Sequence, residues 1–411
     1  MIPNETPLWI VACNFRTFEI HDMNKPHAPA VVIALEEVRN KLPLFDFMFK
    51  KEVRELSHEM EISVKAGEIV GILYDKLIVQ YKEPDERSFQ SLNALCVRLV
   101  FCLYAEDAGI FGSRMMFHDY LKDIPVNAFR KELVELFKIL DTKIEDRDKY
   151  LAEDNPKLAA FPYVNGGLFA DETIEIPPFT EEIKNLLLNK ASADFDWSDI
   201  SPTIFGAVFE STLNPETRRS GGMHYTSIEN IHKVIDSLFM DELRAELDDI
   251  KKIAVERTKK AKLNAFQAKI AGLKFLDPAC GSGNFLTETY ISIRRLENEI
   301  LFELQSGQIV FGEAINPIQV SISQFYGIEI NDFAVTVAKT ALWIAESQMM
   351  KETEDIVHMN LDFLPLKSYA NIIEGNALAL AWERVAPKHE LNYIMGNPPF
   401  VGARLMSSRQ K

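Results

Sequence analysis

The chain has 411 residues, 47% of them hydrophobic and 26% charged, the balance of a globular protein that can bury a full core. At about 150 residues per domain this length accommodates two or three domains. A formal net charge of −16 argues against nucleic-acid binding over the whole surface and leaves only a local basic groove open.

No apolar run reaches the ~18 residues needed to span a bilayer, so no membrane role is expected. The opening Met1-Ile2-Pro3-Asn4-Glu5 shows no basic segment followed by an apolar one, hence no secretory signal. Cys13, Cys96, Cys102 and Cys280 make no C-x-x-C pair and no zinc spacing, which fits reduced thiols in a cytoplasm.

In chain order, Leu8 to Cys13 reads as a strand and Asn14 to Ile20 as its hairpin partner. Two strands make no stable sheet alone. Residues 31–80 read as helices, with Pro43 as punctuation. From Phe89 to Phe111 the apolar residues Leu92, Leu95, Cys96, Leu99, Cys102 and Leu103 recur at threes and fours, a helix with one face in a core, and Gly109 is its stop. Arg98, Tyr104, Glu106 and Asp107 on or near it read as a buried polar cluster with a structural role. Helix continues to about Tyr150, followed by an irregular segment containing Phe161 to Phe169.

The character changes at Ile200. Gly221-Gly222-Met223-His224-Tyr225-Thr226 precedes a helix expected from Ile228 to about Leu243, and Thr226 with Glu229 has capping-box spacing. A helix start behind flexible glycines can also receive an anion. Arg218-Arg219 and the run Lys251, Lys252, Arg257, Lys259, Lys260, Lys262 are the candidates for a basic groove, although such a run is usually a solvated helix face.

Leu273 to Leu286 organises the C-terminal part of the chain. Leu273, Phe275 and Leu276 read as a buried strand, Asp277-Pro278 closes it, Gly281-Ser282-Gly283 turns, and helix runs from Asn284 towards Leu304. Strand, glycine turn and helix present backbone N–H groups to a ligand in a doubly wound sheet. The dinucleotide fingerprint fails, because its third glycine falls at Leu286, which weakens a nicotinamide-dehydrogenase reading.

Phe325 to Ile330 is the next strand, with Glu329 at its end, where a carboxylate faces the ligand crevice and can accept ribose hydroxyls. Asp332 to Met350 is an amphipathic helix, and Asn371 to Asn376 a third strand. Leu391 to Met395 is a fourth, ended by Gly396-Asn397-Pro398-Pro399-Phe400, since neither proline can donate to a ladder. Strands alternating with helices imply a mostly parallel α/β sheet.

Asp-Pro-Ala-Cys-Gly-Ser-Gly followed downstream by Asn-Pro-Pro-Phe resembles the motif pair of amino-group DNA methyltransferases of the γ class. More narrowly, the chain resembles the MmeI-like fused restriction–modification enzymes. Leu95 to Asp107, Tyr163 to Phe169 and Asn214 to Ser227 carry that resemblance, which covers nearly all the chain. It implies a class I S-adenosylmethionine-dependent methyltransferase, a Rossmann-like doubly wound sheet, preceded by a mainly α-helical spacer. The expected divisions are 1–60, the remnant of a nuclease-type domain; 61–198, the spacer; and 199–411, the methyltransferase. The family's Asp…Glu-x-Lys nuclease site is not seen, and the family continues past Asn-Pro-Pro-Phe into a region that reads DNA sequence. The chain therefore looks like a fragment at both ends, needing a further region or partner for sequence recognition.

The resemblance implies S-adenosylmethionine as cofactor and double-stranded DNA with a flipped adenine as partner. Gly281 and Gly283 would let backbone approach the cofactor, with Asp277 ordering the turn. Tyr225 and Thr226 would contact its methionine end, Glu329 its ribose and Asn376 its adenine. Ala279, Phe285 and Ile330 belong to the same cofactor-binding set. Asn397, Pro398, Pro399 and Phe400 would be the catalytic group. The Asn397 side-chain oxygen and the Pro398 carbonyl accept the target amine's N–H groups, and Phe400 faces the flipped base. Adenine N6 is the expected target; cytosine N4 uses the same chemistry. Methyl transfer needs no metal. A rival reading is a cofactor-binding fragment that catalyses nothing.

Overall fold

The structure, a computed structural model, describes residues 9–14, 16–22, 30–41, 51–164, 167–206, 226–305, 317–358, 361 and 370–398. The chain divides into two compact units, Met1–Glu61 and Ile62–Lys411.

In the first unit β1 (Trp9–Cys13) and β2 (Thr17–Asp22) form the expected antiparallel hairpin, pairing Trp9 with Asp22 through Cys13 with Phe18. Asn14 sets the turn, its Oδ1 accepting from the backbone N–H groups of Arg16 at 3.0 Å and Thr17 at 2.8 Å. The expectation of helix from residue 31 is wrong at its start. Val31–Ala34 is a third strand, β3, antiparallel to β2. Its run Val-Val-Ile is β-branched, stiff at χ1 and suited to a pleated surface. Ile33 buries against Ile20, and a 3₁₀ turn, Leu35–Asn40, follows. Helix resumes as α1, Lys51–Ile78.

In the second unit α2 (Glu86–Asp107) is the central core helix. Asp85 caps it by accepting from the Ser88 N–H at 2.8 Å, and Gly109 follows with φ +78°, the left-handed conformation that ends helices. Among the described residues α2 alone is long and apolar enough to cross a membrane, but it is mostly buried within this unit. Its polar residues have structural partners. Arg98 donates to the carbonyls of Leu168 (2.9 Å) and Asp171 (2.8 Å) and stacks near Phe137 and Phe169. Glu106 accepts from the His118 N–H and the Ser192 hydroxyl, and Asp107 from the Trp197 N–H. Burial pushes the Asp107 carboxyl up to about 7. Helices α3 (Met116–Leu121) and α4 (Val126–Asp141) extend this helical layer.

From Ile228 three segments run on: α5 (Ile228–Ile235), a π-helical stretch Asp236–Met240, and α6 (Asp241–Lys251), so the helix ends beyond the expected Leu243. Helix α7 (Glu256–Gly272) leads to the sheet. Strands β4 (Phe275–Asp277), β5 (Phe325–Glu329), β6 (Asn371–Glu374) and β7 (Tyr393–Ile394) are all parallel, in the spatial order β6-β5-β4-β7. Between β4 and β5 lies α8 (Asn284–Gln305), and between β5 and β6 lies α9 (Asp332–Val357), seven residues longer than read from the sequence. The first three strands are laid down in one direction and the fourth on the other side of β4. The order therefore reverses between β4 and β7, and such a switch point opens a ligand crevice at the strands' carboxyl ends.

The sheet is anchored by aromatic rings crossing the strands. Phe275 stacks on Phe325 at 5.1 Å and on Tyr393 at 5.6 Å, and Phe239 packs against both Phe275 and Tyr393. Helix α8 is held by a buried ion pair, Arg294 with Glu297. Glu297 also accepts from Gln267 on α7 and from the Gln319 N–H, while Arg294 reaches Thr353 on α9 at 2.7 Å. The helical layer and the sheet share one core. The Tyr104 hydroxyl donates to the Ile344 carbonyl, and Gln348 donates to the carbonyls of Ser198 and Ile200.

Candidate active site

The site forms where β4, β5 and β7 end. After β4, Asp277 is 1% exposed and its Oδ1 accepts from the Ala279 N–H at 3.0 Å, closing a turn on itself. The Cys280 N–H then continues the ladder to the Ile328 carbonyl at 3.1 Å. Gly281 (φ +52°) and Gly283 (φ +83°) adopt left-handed backbone that side chains resist. At Gly283 a Cβ would lie 2.8 Å from the Ala338 Cβ, so a glycine is also what lets α8 start against α9.

Glu329 ties the turn to β5. One carboxylate oxygen accepts from the Gly281 N–H at 2.9 Å and the other from the Asn331 N–H at 3.0 Å. Each oxygen keeps a further lone pair for a ligand. Ile330 beside it is 68% exposed, and Leu378, just past β6, is 95% exposed. Asn376 is exposed at the end of β6, its Oδ1 accepting from the Leu378 N–H at 2.9 Å. Phe285 is buried in the first turn of α8 and contributes packing.

On the other side of the switch point, Gly396 follows β7 with φ +150°. A Cβ there would lie 2.7 Å from the Asp277 Cγ, so the two strand ends touch through a glycine backbone and a buried carboxyl. Burial, with Glu329 nearby as a second cause, pushes the Asp277 carboxyl up to about 7. Asn397 and Pro398 are exposed. Asn397 Nδ2 donates to Thr226 Oγ1 at 3.1 Å, across 171 positions of sequence. Its Oδ1 lies outside that bond.

This contact corrects the capping-box expectation. The helix cap of α5 is Ser227, with no side-chain cap bond, and the Thr226 hydroxyl serves Asn397 instead. The basic run from Lys251 to Lys262 reads as the solvated face that such runs usually form. Lys251 pairs with Glu299 at 2.6 Å, Lys252 with Asp249 at 2.9 Å, Lys259 with Glu303 at 2.5 Å and Lys260 with Glu256 at 3.8 Å. Four of the run's six cations are thus paired with carboxylates. Tyr225, Pro399, Phe400, His224 and Arg218-Arg219 lie outside the described residues.

One cluster was not read from the sequence. Glu288, buried in the first turns of α8, receives the Thr203 hydroxyl at 2.9 Å and His232 Nε2 at 2.9 Å, while His232 Nδ1 lies 3.3 Å from Asp236. Hydrogen bonding to Glu288 chiefly raises the His232 pKa above its ordinary value. No local motif announces it, because its members come from separate elements. Among the described residues no set of three or more His, Cys, Asp or Glu could hold a metal, and none of the cysteines is in a disulfide.

Comparison with known proteins decides the family. Residues 2–80 match the MmeI N-terminal domain, 90–169 the MmeI helicase spacer domain, and 253–411 the MmeI DNA-methyltransferase domain. The chain belongs to the MmeI family. A solved MmeI, described as a type IIL restriction-modification enzyme in complex with DNA, is 38% identical with a TM-score of 0.73, over 84% of this chain and 44% of that one. DNA methyltransferase A of Bacillus subtilis is 36% identical over 92% of this chain and 42% of its own length. A putative type II restriction enzyme and methyltransferase of Methanocaldococcus jannaschii is 29% identical over 64% of this chain and 25% of its own length. The MmeI-family chain thus spans less than half the length of the relatives it matches, and it carries their DNA-methyltransferase domain on a class I methyltransferase sheet.

Proposed function

We propose that this chain binds S-adenosylmethionine in the crevice at the carboxyl ends of β4, β5 and β7 and moves a methyl group to adenine N6 of double-stranded DNA. The observation that supports the reading is the close approach of Gly396 to Asp277, which brings the Asn-Pro turn beside the glycine turn, with Asn397 held by Thr226. The donor and acceptor set fits the cofactor. Glu329 retains lone pairs for a ribose diol, and exposed Ile330 and Leu378 offer apolar cover to an adenine ring beside Asn376. S-adenosylmethionine, when bound, supplies an electrophilic methyl group.

The chain's residues supply the geometry. An exocyclic amine is a poor nucleophile, its lone pair delocalised into the ring. Asn397 Oδ1 and the Pro398 carbonyl accept its N–H bonds, favour a tetrahedral nitrogen and stabilise the positive charge that develops there. Thr226, holding Nδ2, keeps the amide oxygen as the end turned to the substrate. The proline fixes this arrangement before reaction.

Calorimetry with S-adenosylmethionine and with NAD, on wild type and Glu329→Ala, tests the cofactor; tighter NAD binding, or no loss in the variant, defeats the reading. Labelled methyl transfer to duplex DNA, with the product nucleoside identified, tests the reaction. N4-methylcytosine as product would move the target to cytosine.

A further inference from the structure

A cavity of about 370 Å³ opens where α2 meets the first half of α9. Arg87 and Arg98 line it from α2, Asp171 from the segment beyond, and Asp332, Lys339 and Trp343 from α9. Three cationic side chains face two carboxylates across it. Trp343 is 3% exposed and its indole Nε1 meets no acceptor. Lys339 is half-buried with no ion pair or hydrogen bond among the described residues, and burial lowers its pKa. Arg98 spends two nitrogens on carbonyls, and the carboxylates of Asp171 and Asp141 nearby offset part of its charge.

The acids in the wall are engaged locally. Asp171 Oδ1 accepts from the Thr173 N–H and hydroxyl at 2.8 and 2.7 Å, and Asp332 Oδ1 from the Phe333 N–H at 2.6 Å. A desolvated amine and a buried N–H without an acceptor are each costly, and a ligand that brings negatively charged oxygens relieves both. A cavity of this size accommodates a compact anion.

We propose that this cavity is an anion site taking phosphoryl oxygens, held by Lys339 and the two arginines with Trp343 as a further donor. It joins the helical layer to the helix that follows Glu329, so an occupant would brace α2 against α9. The site stands independently of the methyl-transfer reading. Its phosphoryl group could come from a free phosphate compound or from a DNA backbone.

The test uses the whole chain with inorganic pyrophosphate and, separately, a short DNA duplex, each titrated by calorimetry. Wild type, Lys339→Gln and Arg87→Gln are compared; Arg87 is exposed, so its variant reports even if the first folds poorly. Saturable pyrophosphate binding weakened about tenfold by either change, the worth of one charged hydrogen bond, supports the proposal with a free anion as source. Absent pyrophosphate binding, with duplex affinity and its salt dependence both reduced in the variants, supports it with backbone phosphate as source. Equal binding by wild type and variants, or no binding of either probe, overturns it.

Discussion

Asn397 divides its amide between two tasks, and that division makes it testable. Nδ2 is anchored on Thr226 and Oδ1 is the proposed acceptor. Asn397→Ala is expected to lower single-turnover methylation about a hundredfold or more while S-adenosylmethionine affinity, read by calorimetry, stays near wild type. Near-normal methylation would remove Asn397 from the mechanism. Thr226→Val should reproduce part of the loss, because an unanchored amide can rotate its nitrogen to the substrate.

Asp277 gives a residue-scale pH prediction. Its carboxyl ordinarily titrates at 3.8 and is pushed up to about 7 here by burial. Between those values the folded chain keeps a proton that the unfolded chain has lost, so Asp277 lowers stability as pH rises through that window. Urea midpoints from pH 4 to 8 should fall more steeply for wild type than for Asp277→Asn, and parallel curves would contradict the assignment. His232 has the opposite chemistry but the same direction. Its folded pKa is raised, so the stability from its pairing with Glu288 is complete below the unfolded pKa and lost as pH rises through the folded one.

At the scale of elements, α8 depends on a buried charge pair. Glu297→Ala would remove the carboxylate paired with Arg294, leave the 319–320 backbone without its acceptor and take one of two acceptors from Gln267. The expected cost is about 3–5 kcal/mol in urea unfolding. Losses under ~1 kcal/mol would mean the helix holds without the pair.

The glycine turn, the order of strands and helices, and the acid ending β5 were legible because each rests on local pattern: apolar runs, glycine spacing and proline stops. β3 was not legible, since a short β-branched run is ambiguous until a neighbour pairs with it. The Asn397–Thr226 bond and the Gly396–Asp277 contact were hidden for another reason. Both depend on β7 lying next to β4, and strand order is a tertiary choice that neither segment encodes alone. The capping-box reading failed on the same contact, because a distant amide claimed the threonine.

At the scale of the molecule, Ile62–Lys411 is one compact unit that holds the segments on both sides of residue 198. The Tyr104 hydroxyl bonds to the Ile344 carbonyl, and Gln348 to the Ser198 carbonyl, so both bonds join the two sides of that position. Thermal unfolding followed by calorimetry and by near-ultraviolet circular dichroism should show one coincident transition for this unit. Separate transitions for the helical layer and the sheet would show that these bonds do not couple them.

The pairing of β7 with β4 also fixes when the site can exist. Asn392 accepts from the Lys274 N–H across 118 positions, with β5 and β6 made in between. Closing so long a loop is entropically expensive, and contacts of high sequence separation form slowly. On the ribosome the glycine turn and its Glu329 latch emerge well before Asn397 does. A nascent chain therefore completes its cofactor-side half first, and Gly396 docks onto a surface already in place. Slow-translating stretches just before residue 391 would give that surface time to set, whereas a strand that arrived early would find no partner and expose an open sheet edge.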